Sequence, residues 1–106
     1  MRRLFTEQEI GYAMSSEALR AERFAKRFAA KEATIKALNL SEVGLDWRQI
    51  EVLRDASGQC SLALHGVARQ AAEQARVHEL ALSLSHAGDY AMAMVVALTH
   101  EPDSKD

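Results

Sequence analysis

Between Glu17 and Leu40 the chain reads EALRAERFAKRFAAKEATIKALNL, with no glycine or proline and mostly Ala, Leu, Glu, Lys and Arg. Such side chains lose little rotamer freedom on a helix, so the run predicts one long helix around which the rest must pack. Leu19, Phe24, Phe28, Ile35 and Leu38 are expected to form its buried stripe. Arg20, Arg23, Arg27 and Lys31, at spacings of three and four, are expected to line an adjacent basic face.

Upstream, Thr6 followed by Glu9 has the spacing of a capping box, which predicts a short helix running to Met14, with Ser15 and Ser16 as the break. Downstream the periodicity changes. WRQIEVLRD and CSLALHG read as strands joined through the turn-forming ASGQ, which makes a hairpin. GVARQAAEQA reads as a further helix. In HELALSLSH, Leu80, Leu82 and Leu84 alternate with Ala81, Ser83 and Ser85, so leucines and serines should occupy opposite faces of a strand. AGD then turns the chain into YAMAMVVAL, an apolar strand. The predicted class is α+β, a small antiparallel sheet packed on a long helix, with one domain over residues 1–100 and a polar tail over 101–106.

Hydrophobic residues make up 48% of the 106, enough for a core, and 13 basic against 15 acidic residues give a net charge of −2. That balance supplies no global attraction for nucleic acid or an anionic membrane, so any anion site must be local. Cys60 is alone and can form no intrachain disulfide, which suits a reducing, cytoplasmic setting. MRRLFTEQEI lacks the apolar core of an export signal, and no apolar run reaches the roughly 18 residues of a membrane span.

Read from spacing alone, Glu32 and Lys36 lie one helical turn apart and can form an exposed ion pair of about 0.3–0.5 kcal/mol. Alternatively Glu32 holds a divalent cation while Lys36 and Arg27 hold phosphates, a site that needs further oxygen ligands. Ser83 and Ser85 can simply fill a strand face, and His86 can be a solvated strand end. SLSH lacks the G-x-S-x-G turn of a hydrolase nucleophile. His65, His78 and His100 have no zinc-binding spacing.

Three blocks in order, RFAAKEATIKAL, WRQIEVLRDASGQCSLALHGVA and SLSHAGDYAMAMVVAL, resemble the holo-acyl-carrier-protein synthase family, the small 4'-phosphopantetheinyl transferases, over roughly residues 4 to 98. The resemblance implies the 4'-phosphopantetheinyl transferase fold. It also implies transfer of phosphopantetheine from coenzyme A to a serine of an acyl carrier protein of fatty-acid or polyketide biosynthesis, with Mg²⁺ bridging the pyrophosphate. By the same resemblance Glu32 is the metal ligand and Lys36 the phosphate-facing lysine. Arg27 and Phe28 line the coenzyme A site, and His86 stands beside the nucleotide phosphate with Ser83 and Ser85 as polar support. The family is typically homotrimeric with coenzyme A between subunits.

Two departures stand out. Family members begin with a strand carrying G-I-G-x-D, whose aspartate is a second metal ligand, and a basic helix that docks the carrier. The chain lacks both, so the expected fold is N-terminally truncated. Gly44-Leu45-Asp46 looks like that motif but follows the Glu32 helix. Gln59-Cys60 stands where relatives often have Lys-Pro. A non-catalytic module that binds coenzyme A or a carrier is therefore the alternative to an active transferase.

Overall fold

The computed structural model describes residues 2–41 and 44–100, so the predicted tail over 101–106 lies outside the described residues. The capping box forms as expected. The Glu9 amide donates to Thr6 Oγ1 at 3.1 Å, the Thr6 amide donates to Glu9 Oε1 at 2.9 Å, and helix α1 runs Glu7–Met14. After a turn in which the Leu19 amide donates to Ser16 Oγ at 3.2 Å, the long helix α2 spans Arg20–Ala37. It stops at Asn39, whose φ of 59° is the left-handed conformation asparagine tolerates well. The Leu40 amide then reaches back to the Ile35 carbonyl at 2.8 Å, and the Asn39 amide to that of Lys36 at 3.3 Å, a Schellman closure that delivers Leu40 into the core.

The remaining elements are β1 (Ile50–Arg54), β2 (Cys60–Leu64), α3 (Gly66–Gln74), β3 (Val77–Ala87) and β4 (Tyr90–Thr99). The antiparallel sheet is built as two hairpins, β1 with β2 and β3 with β4, and not as one continuous sheet. Trp47–Gln49 form a 3₁₀ turn where a strand was expected. Asp46 caps that turn by accepting the Arg48 amide at 3.0 Å, which removes the segment from the ladder.

One core lies between α2, β1 and α3, with Leu38, Leu40, Ile50, Ala68 and Ala72 buried and Ile35, Leu62 and Leu80 packed against them. Full burial of each Leu or Ile contributes about 1.5–3 kcal/mol. A second cluster joins α1 to α2 through Phe5, Ala13 and Phe24, the two rings 5.0 Å apart and tilted by 52°. The β3–β4 register pairs Leu82 with Val95 and Leu84 with Ala93 on the inner face. It pairs Ser83 with Met94 and Ser85 with Met92 on the outer face, so the serines do oppose the leucines.

Only part of the expected apolar stripe of α2 is inside: Phe24 and Leu38 are buried and Ile35 packs against the core. Phe24, Arg27, Ala30, Lys31 and Thr34 are buried, whereas Leu19 and Phe28 are exposed. The expected basic face is therefore split, because two of its members, Arg27 and Lys31, are buried. Among the described residues no helix is long and apolar enough to cross a membrane.

Candidate functional site

Phe28, Glu32 and Lys36 follow each other at successive turns of α2 and are all exposed. Phe28 stacks on Trp47 with ring centroids 5.2 Å apart and planes 17° from parallel. Among the described residues neither Glu32 nor Lys36 belongs to any ion pair, so the exposed pair that their spacing allows is not formed. Both charges stand ready for something else.

Arg27 points the other way. Nine residues separate it from Lys36, about two and a half turns, which places the two side chains on opposite sides of α2. Arg27 as a residue is only 3% exposed, and its guanidinium carbon lies 4.6 Å from the centroid of the Tyr12 ring. Arg23 and Arg54 stack on the same ring at 4.0 and 5.1 Å. Arg23 is held there by donating to the Tyr12 carbonyl at 2.8 Å and to Ser15 Oγ at 3.0 Å. Arg27 has one long bond, Nη1 to the Arg23 carbonyl at 3.4 Å, and its buried Nε has no partner. Among the described residues no carboxylate pairs with any of the three arginines.

A cavity of about 440 Å³ opens beside this cluster, its walls including Lys26, Arg27, Arg54, Gln59, Cys60 and Ser83. The turn between β1 and β2 closes one side. Its Gly58 has a φ of 92°, and an added Cβ would stand 3.1 Å from Arg54 Nη2, so glycine both permits the turn and leaves room for that guanidinium. Asp55 anchors the same turn by accepting from the Ser57 and Gln59 amides at 2.9 and 3.0 Å. The hydrogen bond from the Ser57 hydroxyl leads the interactions that hold the Asp55 carboxyl below its ordinary range.

His86 occupies a third place. It extends the inner row of Leu82 and Leu84, and its Nδ1 lies 3.2 Å from Glu22 Oε2 near the start of α2. A cavity of about 340 Å³, bounded also by Ala21, Ala25, Asp89 and Tyr90, lies against it. Glu22 is shared with Lys26 at 3.0 Å, and that hydrogen bond is the foremost reason its carboxyl titrates below the usual value. Glu22 and Lys36 are fourteen residues apart, about 21 Å along the helix axis. One chain thus sets Arg27 in a cavity whose rim reaches Ser83, although the Ser83 side chain belongs to the outer strand face, and aligns Phe28, Glu32 and Lys36 on one strip. It leaves His86 apart from both, and Ser85 on the outer strand face.

Tyr12, Lys26 and Arg54 were not singled out by sequence reasoning. They come from α1, α2 and β1, and no local spacing links them. Nothing in the sequence alone pointed to them, because their proximity exists only in the folded chain.

The Mg²⁺ that the resemblance implies needs oxygen ligands. Among the described residues no three His, Cys, Asp or Glu side chains gather closely enough to hold a metal ion. Glu32 offers a single, unengaged carboxylate beside an unengaged lysine. That fits the mode in which Mg²⁺ arrives on a polyphosphate and takes only one or two protein carboxylates, and it does not fit a preformed protein cage.

Comparison with known proteins bears on the family and the fold. Residues 1–95 match the 4'-phosphopantetheinyl transferase superfamily. The holo-[acyl-carrier-protein] synthase of Geobacter sulfurreducens is 42% identical over 95 residues, which cover 89% of this chain and 75% of that protein. That of Herpetosiphon aurantiacus is 40% identical over 104 residues, covering 92% and 79%. Among solved structures, the complex of ACPS with CoA from Chronobacterium ammoniagenes superposes with a TM-score of 0.82 at 34% identity, over 94% of this chain and 81% of that one. With matches of this extent, the chain belongs to the 4'-phosphopantetheinyl transferase superfamily, in its holo-acyl-carrier-protein synthase family.

Proposed function

We propose that the protein is a holo-acyl-carrier-protein synthase that moves 4'-phosphopantetheine from coenzyme A to a serine of an acyl carrier protein. The observation that carries this reading is Arg27, a buried guanidinium with an unpartnered Nε, flanked by Arg23 and Arg54 and facing a cavity. Buried polar groups are ordinarily satisfied, and a cluster of cations without a carboxylate is satisfied by an anion. A phosphate of coenzyme A supplies that anion, received by Arg27 with Arg54 and Lys26 beside it.

Phe28 and Trp47 offer an aromatic surface, Lys36 presents a point charge to the pyrophosphate, and Glu32 would hold Mg²⁺. When bound, the ion neutralises charge gathering on the leaving adenosine 3',5'-bisphosphate. The carrier's serine oxygen forms the new bond to phosphorus as the pyrophosphate bond breaks. Ser83 and Ser85 are not nucleophiles in this scheme. Lys36 lowers the barrier by meeting charge where it develops.

Arg27 lies across α2 from Lys36, and His86 stands beside Glu22, about 21 Å along the helix axis from Lys36, so one chain does not gather all the phosphate-facing groups at one point, which supports a site completed between copies. The outer face of β3–β4 carries Tyr90, Met92, Met94, Val96 and Leu98, all exposed, in one continuous apolar stripe. Such a stripe suits burial against further copies, and we read the assembly as a homotrimer working in the cytoplasm. Incubation with apo-carrier, coenzyme A and Mg²⁺, read by intact mass, tests the activity. Absence of the phosphopantetheine mass gain, under conditions where a relative reacts, would refute it.

The single carboxylate favours a second reading, a module that binds coenzyme A or carrier without turnover. Calorimetric binding with no mass gain would select it, and loss of both would exclude it.

A further inference from the structure

The buried pair Glu9–Lys31 is not used by the transfer chemistry above, yet it is wired more completely than any group in the proposed site. The Lys31 side chain has no exposed surface, and its ammonium donates to Glu9 Oε1 at 2.9 Å, to the Trp47 carbonyl at 3.1 Å and to the Ile50 carbonyl. Three donors meet three acceptors. Glu9, also buried, accepts from the Thr6 amide through Oε1 at 2.9 Å and from the Val52 amide through Oε2 at 2.8 Å. Burial pushes the Lys31 ammonium below its ordinary titration range, and the Glu9 carboxylate opposes that shift.

A pair of this kind is a poor device for stability alone, since well-packed apolar residues of similar volume commonly serve as well or better. Its placement points elsewhere. Lys31 immediately precedes Glu32 and lies one turn beyond Arg27 and Phe28 on α2. Its bond to the Trp47 carbonyl holds the 3₁₀ turn where the indole stacks on Phe28. Glu9 lies one turn before Tyr12 on α1, so the same pair sets the ring on which Arg23, Arg27 and Arg54 stack. Both sides of α2 are thereby referred to one buried point.

We infer that Glu9 and Lys31 are positioning residues of the transfer site: they fix the rotation of α2, so that Arg27 enters the Tyr12 pocket while Glu32 and Lys36 face out beside the Phe28–Trp47 stack. This rests on the transferase reading above. A misplacement of about 1 Å in such a site costs on the order of a hundredfold in rate.

The test replaces both charges together, Glu9→Leu with Lys31→Met, because either change alone strands a buried charge. Three readouts are taken: melting temperature, steady-state transfer to the carrier, and emission of Trp47, the only tryptophan in the chain. The expected result is a protein melting close to the unaltered one, with kcat lowered about 10- to 100-fold and Trp47 emission shifted. A merely structural pair predicts normal kcat once the fold is stable, and that result overturns the inference. Should that variant fail to fold, Glu9→Gln with Lys31→Gln, which removes both charges and keeps hydrogen-bonding groups, carries the same comparison at a temperature where its circular dichroism is native. If the unaltered protein transfers nothing, the transferase reading fails by itself. Trp47 emission then decides the positioning claim, and a spectrum superimposable on that of the unaltered protein overturns it.

Discussion

Replacing Arg27 with methionine should raise the stability of the protein while weakening its hold on coenzyme A. The guanidinium is buried, its Nε has no partner, and its one hydrogen bond is 3.4 Å long. A buried unsatisfied donor costs about 1–3 kcal/mol. Stacking over Tyr12 at 4.6 Å returns about 0.5–2 kcal/mol, less the repulsion from Arg23 and Arg54 on the same ring. Methionine keeps the apolar stem and removes the charge, so a net gain of about 1 kcal/mol is expected, or about 4 °C in Tm for a domain of this size. The opposite sign applies to the ligand. One charge-assisted bond to phosphate contributes about 1.5–3 kcal/mol, so affinity should fall about 10- to 150-fold. Thermal melts and calorimetry on the same preparations give both quantities. Lower stability with unchanged affinity would refute the reasoning, since Arg27 would then be a structural residue and its cavity no anion site.

Glu32→Gln keeps size and removes the charge a cation needs; it should leave Tm unchanged, as expected for an exposed position, and lower Mg²⁺-dependent turnover at least tenfold. Unaltered activity across a magnesium titration would reject its role. Met94→Glu places a charge on the exposed stripe of β4. It should leave the fold intact and reduce the mass seen by light scattering to that of one chain, whereas an unchanged mass would remove this face from the assembly. At Asp46 the Arg48 side chain, then the Arg48 amide, pull the carboxyl from 3.8 down to about 2. A depressed carboxylate stabilises the fold fully above its unfolded value and loses that contribution as pH falls through its folded value. The stability difference between the unaltered protein and Asp46→Asn should therefore hold above about pH 4 and close between pH 4 and 2; a difference constant over that window would contradict the assignment. Because the pair is largely exposed, the effect is small.

Features confined to one element were legible from the sequence. Thr6 and Glu9 announced a capping box because that bonding is local, and Leu80, Leu82 and Leu84 announced a strand face because the pleat repeats every two residues. The block RFAAKE announced the family, and with it the strip of Phe28, Glu32 and Lys36. The 3₁₀ turn at Trp47–Gln49 was not legible, since it follows from how the Asp46 side chain and the Lys31 ammonium capture backbone groups, and neither was the separation of the two hairpins into distinct sheets.

The sequence by itself therefore determined the helix, the hairpins and the motif that names the chemistry. Only the tertiary structure decided which charges are inside. Lys31 and Arg27 read as members of a solvated basic face, because helical spacing places them there and nothing nearby argues against it. Whether such a charge is buried depends on a partner elsewhere in the chain. Glu9, from a different helix, makes the interior tolerable for Lys31. Tyr12, Arg23 and Arg54 surround Arg27 without satisfying it. A charge left that way inside a protein is costly, and periodicity along one helix carries no record of it.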